Sequence, residues 1–269
     1  MNRLFLRRQT QMKKILAALL AGAMLASLAG CGSGGSDTLA QIKKDGKLVM
    51  ATNAAFPPFE YIAGNEPAGV DVDIAAEIAK DLGVTLEVSD MDFNAIIPAV
   101  QAGKASLGAA GMTVTDERKQ QIDFSDEYVK SAQYVIIMKG SGITADSLGE
   151  AGVIIGVQEG TTGDFYATDD IKGDPNTEEV ARYKNAIVAS QDLMNGKCSA
   201  VIIDEMPAKS IVAANPDKLE LLPDVLTEES YAIAVKKGDT AFLEQVNKTI
   251  ARLKSEGKID EFLIQHTGE

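Results

Sequence analysis

The chain has 269 residues, 45% of them hydrophobic and 5% aromatic, with 26 basic and 39 acidic side chains, one histidine, two cysteines and no tryptophan. That length suits one large domain or two of ordinary size. Residues 1–30 hold five of the bases (Arg3, Arg7, Arg8, Lys13, Lys14) and no acid, so the remainder sits near −18, a polyanion that excludes nucleic acid as a partner, is not drawn to an anionic membrane surface and stays soluble as a single, self-repelling copy.

Those five bases precede an apolar run from Ile15 to Leu28, the length of a signal-peptide core and short for a membrane span. The run ends Leu28-Ala29-Gly30-Cys31, which resembles the bacterial lipobox. A lipoprotein signal peptide over 1–30 is therefore expected, with Cys31 lipid-modified and holding the chain on the extracytoplasmic face of the cell membrane. Residues 31–37, rich in Gly and Ser, read as a flexible tether. With Cys31 used by lipid, Cys198 has no disulfide partner and reads as a small packing residue.

After the tether, Lys47 to Thr52 is a short apolar run suited to a buried strand, broken by the prolines of Asn53-Ala54-Ala55-Phe56-Pro57-Pro58-Phe59. Val70 to Leu82 places Ile74, Ile78 and Leu82 on one face and is closed by Gly83, a helix pattern. Val84, Leu86 and Val88 alternate as a second strand. Met91 to Asn94 reads as a connection and Ala95 to Ala102 as a helix. Leu107 to Ala110 is a third buried strand, followed by Gly111-Met112-Thr113-Val114-Thr115 and a polar helix carrying Arg118. Further strands are expected at Gln133–Lys139, Val153–Gln158, Ala200–Ile203 and Tyr231–Lys237. Further helices are expected after Thr162, over Asn185–Met194, to Ala214, over Asp239–Gly257 and over Ile259–Gln265. The β-α-β-α-β order predicts an α/β fold with mostly parallel sheets in two halves, yet no linker rich in Pro, Gly or Ser divides them.

Ligands of open parallel sheets sit outside the carboxyl ends of the strands. Asn53 and Phe56 follow the first strand, Phe93 the second, and Gly111, Thr113 and Arg118 the third. Gln158, Thr161 and Thr162 follow one strand of the second half and Asp204 another. One cation, one anion, two aromatic faces, two amides and several hydroxyls complement a small zwitterion. Arg118 would fork onto a carboxylate and Asp204 would take an ammonium. Thr161 and Thr162, opening a helix, would assist the carboxylate. Each has a plainer reading: the two phenylalanines fit ordinary core, Asp204 fits an N-cap, and the Gly-Thr-Thr-Gly stretch fits a simple turn. No metal-ligand cluster, nucleophile elbow or phosphate loop occurs, and neither cofactor nor metal is expected.

Eight segments, in order, carry a family resemblance: 53–61, 69–73, 91–93, 97–99, 111–118, 123–125, 156–163 and 201–204. From about Gly46 to Phe262 the chain resembles the polar amino-acid-binding proteins (extracellular solute-binding protein family 3) of bacterial ABC importers. The resemblance implies a periplasmic-binding-protein type II fold, with a discontinuous first lobe (38–129 plus 231–269), a second lobe (133–227) and hinges near Val129–Gln133 and Thr227–Tyr231. It implies that the protein is not an enzyme, that it captures a free L-amino acid by hinge closure, and that it delivers it to ABC permease subunits. It places the ligand carboxylate on Arg118, Thr161 and Thr162, the ammonium on Asp204, aromatic packing at Phe56 and Phe93, and backbone or hydroxyl contacts at Gly111 and Thr113. Position 53 is often acidic in relatives that take cationic side chains. Here it is Asn53, which with Gln158 favours a neutral or polar side chain; Glu159 leaves room for a cationic one. The alternative is a dehydratase of aromatic amino-acid biosynthesis on the same fold, with a carboxylate such as Glu159 as acid or base.

Overall fold

The computed structural model describes residues 38–267; the expected signal peptide, Cys31 and the tether lie outside the described residues. The described chain opens with α1 (Thr38–Asp45) and β1 (Lys47–Thr52), followed by a small meander of β2 (Ala55–Phe56), β3 (Glu60–Ala63) and β4 (Glu66–Ala68). Helix α2 (Val70–Leu82) leads to β5 (Thr85–Asp90), α3 (Phe93–Gln101), β6 (Leu107–Gly108), α4 (Asp116–Gln121) and β7 (Ile122–Phe124). Next come β8 (Val129–Ser131), β9 (Gln133–Met138), β10 (Ile155–Gln158), α5 (Thr162–Phe165) with a π-helical continuation to Lys172, and β11 (Val180–Tyr183). Helix α6 (Ala186–Met194), β12 (Ala200–Asp204), α7 (Glu205–Ala214), β13 (Leu219–Leu221), β14 (Glu229–Tyr231), β15 (Ala234–Lys236), α8 (Thr240–Ser255) and α9 (Lys258–Thr267) complete it.

Two five-stranded sheets result, in the orders β5-β1-β6-β15-β7 and β11-β10-β12-β9-β13. In each, one strand (β15 or β9) runs against the other four, so both are mostly parallel as expected. The first sheet draws on both ends of the described chain and the second on its middle. Between them, β8 and β14 pair antiparallel, Val129 opposite Tyr231. The chain therefore crosses from one sheet to the other twice through adjacent extended segments, and no flexible linker is needed.

Apolar spacing explains the main elements. Ile74 and Ile78 of α2, and Phe242, Val246, Ile250 and Leu253 of α8, are all fully buried. Gly83 ends α2 at φ 70°, where a residue with a side chain would be strained, and its N–H closes the last turn. Cys198 is buried and unbridged, and burial pushes its thiol up to about 11.

Three expectations need correction. Phe93 begins α3 rather than belonging to a connection. The expected strand Tyr231–Lys237 is two strands, because Tyr231 pairs with Val129 in the crossing ribbon while Ala234 pairs with Gly108 and Phe124 in the first sheet. The segment after β1 is a meander rather than a plain loop.

Candidate functional site

The carboxyl ends of β1 and β6 face those of β10 and β12 across a narrow cleft whose walls carry Asn53, Phe56, Phe93, Gly111, Thr113, Arg118, Gln158, Thr161, Thr162 and Asp204. All ten residues singled out at strand ends thus meet in one place. Glu60 and Ala110 complete the lining.

Arg118 reaches the cleft through local folding of its own turn. Thr115 caps α4 by accepting the Arg118 N–H at 3.2 Å. The side chain then folds back, donating from Nη1 to the Thr113 carbonyl at 2.7 Å and from Nη2 across the cleft to the Gly160 carbonyl at 3.2 Å. Its guanidinium lies 5.3 Å over the Phe93 ring, so Phe93 is a cation–π face and not plain core. The side chain is 6% exposed, and among the described residues no carboxylate is paired with it. Burial pulls its pKa down, while the charges of Glu229, Asp204 and Glu117 oppose this. A buried guanidinium held by two carbonyls and a ring has the donor fork suited to a carboxylate.

Asp204 stands at the N-cap position of α7, but its side chain makes no capping bond. Its Oδ1 accepts instead from the Tyr231 hydroxyl at 2.7 Å and the Ser131 hydroxyl at 3.4 Å. The simple capping reading therefore fails, and the carboxyl is spent on the cleft. Burial, then the nearby charge of Glu229, push it up to about 7. Asp204 is thus a second buried charge that calls for an opposite partner.

Gly111 has φ +51°, and a Cβ there would lie 2.6 Å from the Phe56 ring, so glycine is required by both backbone and contact. Its N–H donates to Asp71 Oδ2 at 2.8 Å. Gln158 donates from Nε2 to Asn53 Oδ1 across the cleft at 3.0 Å. The Thr161 hydroxyl caps α5, accepting from the Asp164 N–H and donating to the Gln158 carbonyl. The threonine hydroxyls at 113 and 162 both donate to one carboxylate, Glu229. Thr161 thus serves its turn as well as lining the cleft. Glu159 is exposed and outside the lining.

Sequence reasoning left out Glu60, Asp71 and Glu229. Glu60 is 1% exposed, its Oε2 has no hydrogen-bond partner, and burial reinforced by the Asp71 charge raises its carboxyl well above the usual range. Asp71, braced by Gly111 and the Tyr128 hydroxyl at 2.6 Å, rises to about 6 through burial. The signal for both was an acid inside an apolar segment, Phe59-Glu60-Tyr61 and Val70-Asp71-Val72. Among the described residues no group of three His, Cys, Asp or Glu side chains could hold a metal ion.

Residues 48–269 match the family model of bacterial extracellular solute-binding proteins, family 3. The arginine-binding extracellular protein ArtP of Bacillus subtilis is 32% identical over 253 residues, covering 93% of this chain and 96% of that one. The ABC transporter glutamine-binding protein GlnH of the same organism is 31% identical, covering 93% and 96%. Among solved structures, an amino acid ABC transporter substrate-binding protein, AbpA from Streptococcus pneumoniae, bound to L-arginine, superposes with a TM-score of 0.78 at 34% identity, over 85% of this chain and 98% of that one. These relatives are named for binding and not for catalysis, and their fold is the two-lobed α/β fold described above. The chain belongs to the bacterial extracellular solute-binding proteins, family 3.

Proposed function

We propose that this protein captures a free L-α-amino acid between two lobes, 38–129 plus 231–269 and 133–227, and hands it to the permease subunits of an ABC importer while anchored to the outer face of the membrane through lipid on Cys31. The observation that carries this reading is the pair of buried, oppositely charged groups on facing walls: Arg118, held by two carbonyls and a ring, and Asp204, held by the Tyr231 and Ser131 hydroxyls. A zwitterion of amino-acid size answers both at once. Contacts to both walls exist only when the walls approach, which gives the ligand a differential affinity for the closed form.

The side-chain end of the cleft favours a neutral polar group. Asn53 and Gln158 present carboxamides, and burial holds Glu60 toward its neutral form. Those groups offer hydrogen bonds without a free counter-charge for a cation.

Thermal unfolding of the purified, ligand-free protein against each common L-amino acid tests this. A ligand at a hundred times its dissociation constant adds about 2.7 kcal/mol. One or a few polar amino acids should raise the melting temperature, and prephenate or arogenate should not be turned over. Silence across the panel sinks the reading. A larger response to arginine than to any neutral amino acid sinks only the side-chain preference. Mass analysis of the mature N-terminus checks the anchor: diacylglyceryl on Cys31 is expected, and an unmodified chain after Cys31→Ala.

A further inference from the structure

Three threonine hydroxyls from three separate segments converge on one carboxylate that no strand-end argument selects. Glu229 lies in β14, one of the two crossing strands. Its Oε2 accepts from the Thr113 hydroxyl at 2.5 Å, at the end of the first sheet, and from the Thr162 hydroxyl at 2.9 Å, at the start of α5 in the second half. Its Oε1 accepts from the Thr227 hydroxyl at 3.0 Å, just before β14. The far ends of this network are also held. Gln133 in β9 donates its backbone N–H to the Thr227 hydroxyl at 3.1 Å and its side-chain amide to the Thr162 hydroxyl at 3.2 Å.

A single oxygen therefore joins the two walls of the cleft, and the other oxygen fixes that carboxylate to the crossing strand that carries it. Bonds from hydroxyls to an ionised carboxylate are stronger than neutral ones, and they weaken steeply with distance and angle. Thr113 and Thr162 can both reach Oε2 only when the walls are close. All these bonds are made by protein atoms alone, so they favour closure whether or not a ligand is bound. A ligand that needs the closed form is bound more tightly in proportion to how much of that form is already populated.

We propose that Glu229 is a positioning residue that latches the two lobes together at the hinge and raises apparent ligand affinity by populating the closed form in advance. The affinity half of this rests on the amino-acid reading above; the closure half does not.

Small-angle X-ray scattering of the parent, Glu229→Ala, Glu229→Gln and Thr162→Val proteins, each ligand-free and with the amino acid that most stabilises the parent, tests it. Ligand-free Glu229→Ala should have a larger radius of gyration than the ligand-free parent, with the two converging at saturating ligand. Its dissociation constant should rise roughly three- to thirty-fold, by the factor by which the ligand-free closed fraction falls. Glu229→Gln, which keeps one bridging oxygen, should fall between. Thr162→Val, which cuts only the second-half arm, should open the ligand-free protein, and adding it to Glu229→Ala should cause no further opening. If Glu229→Ala fails to fold, Thr162→Val decides. Unchanged ligand-free dimensions overturn the latch. Tighter binding by Glu229→Ala overturns it too, since it would make the carboxylate a competitor for the threonines. A parent that responds to no amino acid condemns the ligand reading alone, because the ligand-free dimensions are still measured.

Discussion

The two walls of the cleft solve the same electrostatic problem differently. Each buries a charge without an opposite charge of its own. On the first wall the charge is a guanidinium, which keeps its proton at any ordinary pH, so Arg118 must be stabilised by the carbonyls of Thr113 and Gly160 and by the Phe93 ring. On the second it is a carboxyl, which can escape by taking up a proton, and burial has moved Asp204 up to about 7. On the function proposed above, the carboxylate end of the ligand would meet a fixed charge, and the ammonium end a charge that forms as the ligand arrives.

The comparison predicts its largest effect at Arg118. Arg118→Ala removes a fork that bonds carbonyls on both walls and takes away the one basic side chain in the lining of the cleft. It should cost roughly 2–5 kcal/mol of binding free energy by titration calorimetry. Arg118→Lys should recover only a fraction, since an ammonium cannot fork. An unaltered dissociation constant in Arg118→Ala would remove the residue from the ligand's path.

The second wall should show itself through pH. Ionised Asp204 is the form that holds an ammonium, so affinity should fall by up to about tenfold per pH unit below about 7, approaching a hundredfold near pH 5. Near pH 7 binding should release about half a proton, visible as a dependence of the calorimetric enthalpy on buffer ionisation. Asp204→Asn should bind weakly and lose the slope. Asp71, which rises only to about 6, is distinguished by that control. Stability runs the other way. The folded state holds Asp204 protonated where the unfolded chain does not, so its contribution is full below about 3.8 and disappears as pH rises through about 7. A slope that survives in Asp204→Asn would move the titration to another group.

Much of this site was legible because each strand end carries its chemistry within a few residues of the apolar run that precedes it. Arg118 is five residues from Thr113, whose carbonyl it bonds, and that turn could be read locally. Glu229 could not, since it bonds residues 116 and 67 positions away and no short pattern encodes such a meeting. The same distinction holds for the fold. Helices α2 and α8 announce themselves by period, whereas two-residue strands such as β2 and β6 have no period to show. The break between β14 and β15 is equally silent, because Tyr231 and Ala234 are alike in polarity and differ only in which strand they meet.

A narrower test sits where the walls touch. Gly160 has φ +77°, and a Cβ there would lie 1.7 Å from Asn94 Oδ1 on the opposite wall. Gly160→Ala should cost about 1–2 kcal/mol of stability from backbone strain alone. The contact with Asn94 should add a further loss of affinity, because it is met only on closure. Adding Asn94→Gly should restore the affinity but not the stability. Recovery of neither would mean that strain at position 160 accounts for the whole effect.

The smallest effect belongs to the rim. Lys184 and Asp92 approach to 3.4 Å across the mouth of the cleft, with side chains 78% and 62% exposed. The pair spans the same gap as the Glu229 bonds, so geometry alone would rank them together. Solvent separates them, since water screens an exposed pair and both long side chains lose freedom when they meet. Lys184→Ala should change the dissociation constant by less than about threefold at physiological salt, and the difference should vanish as salt is raised. A loss comparable to that of Glu229→Ala would show that closure is governed by charge at the entrance and not by hydrogen bonds at the hinge.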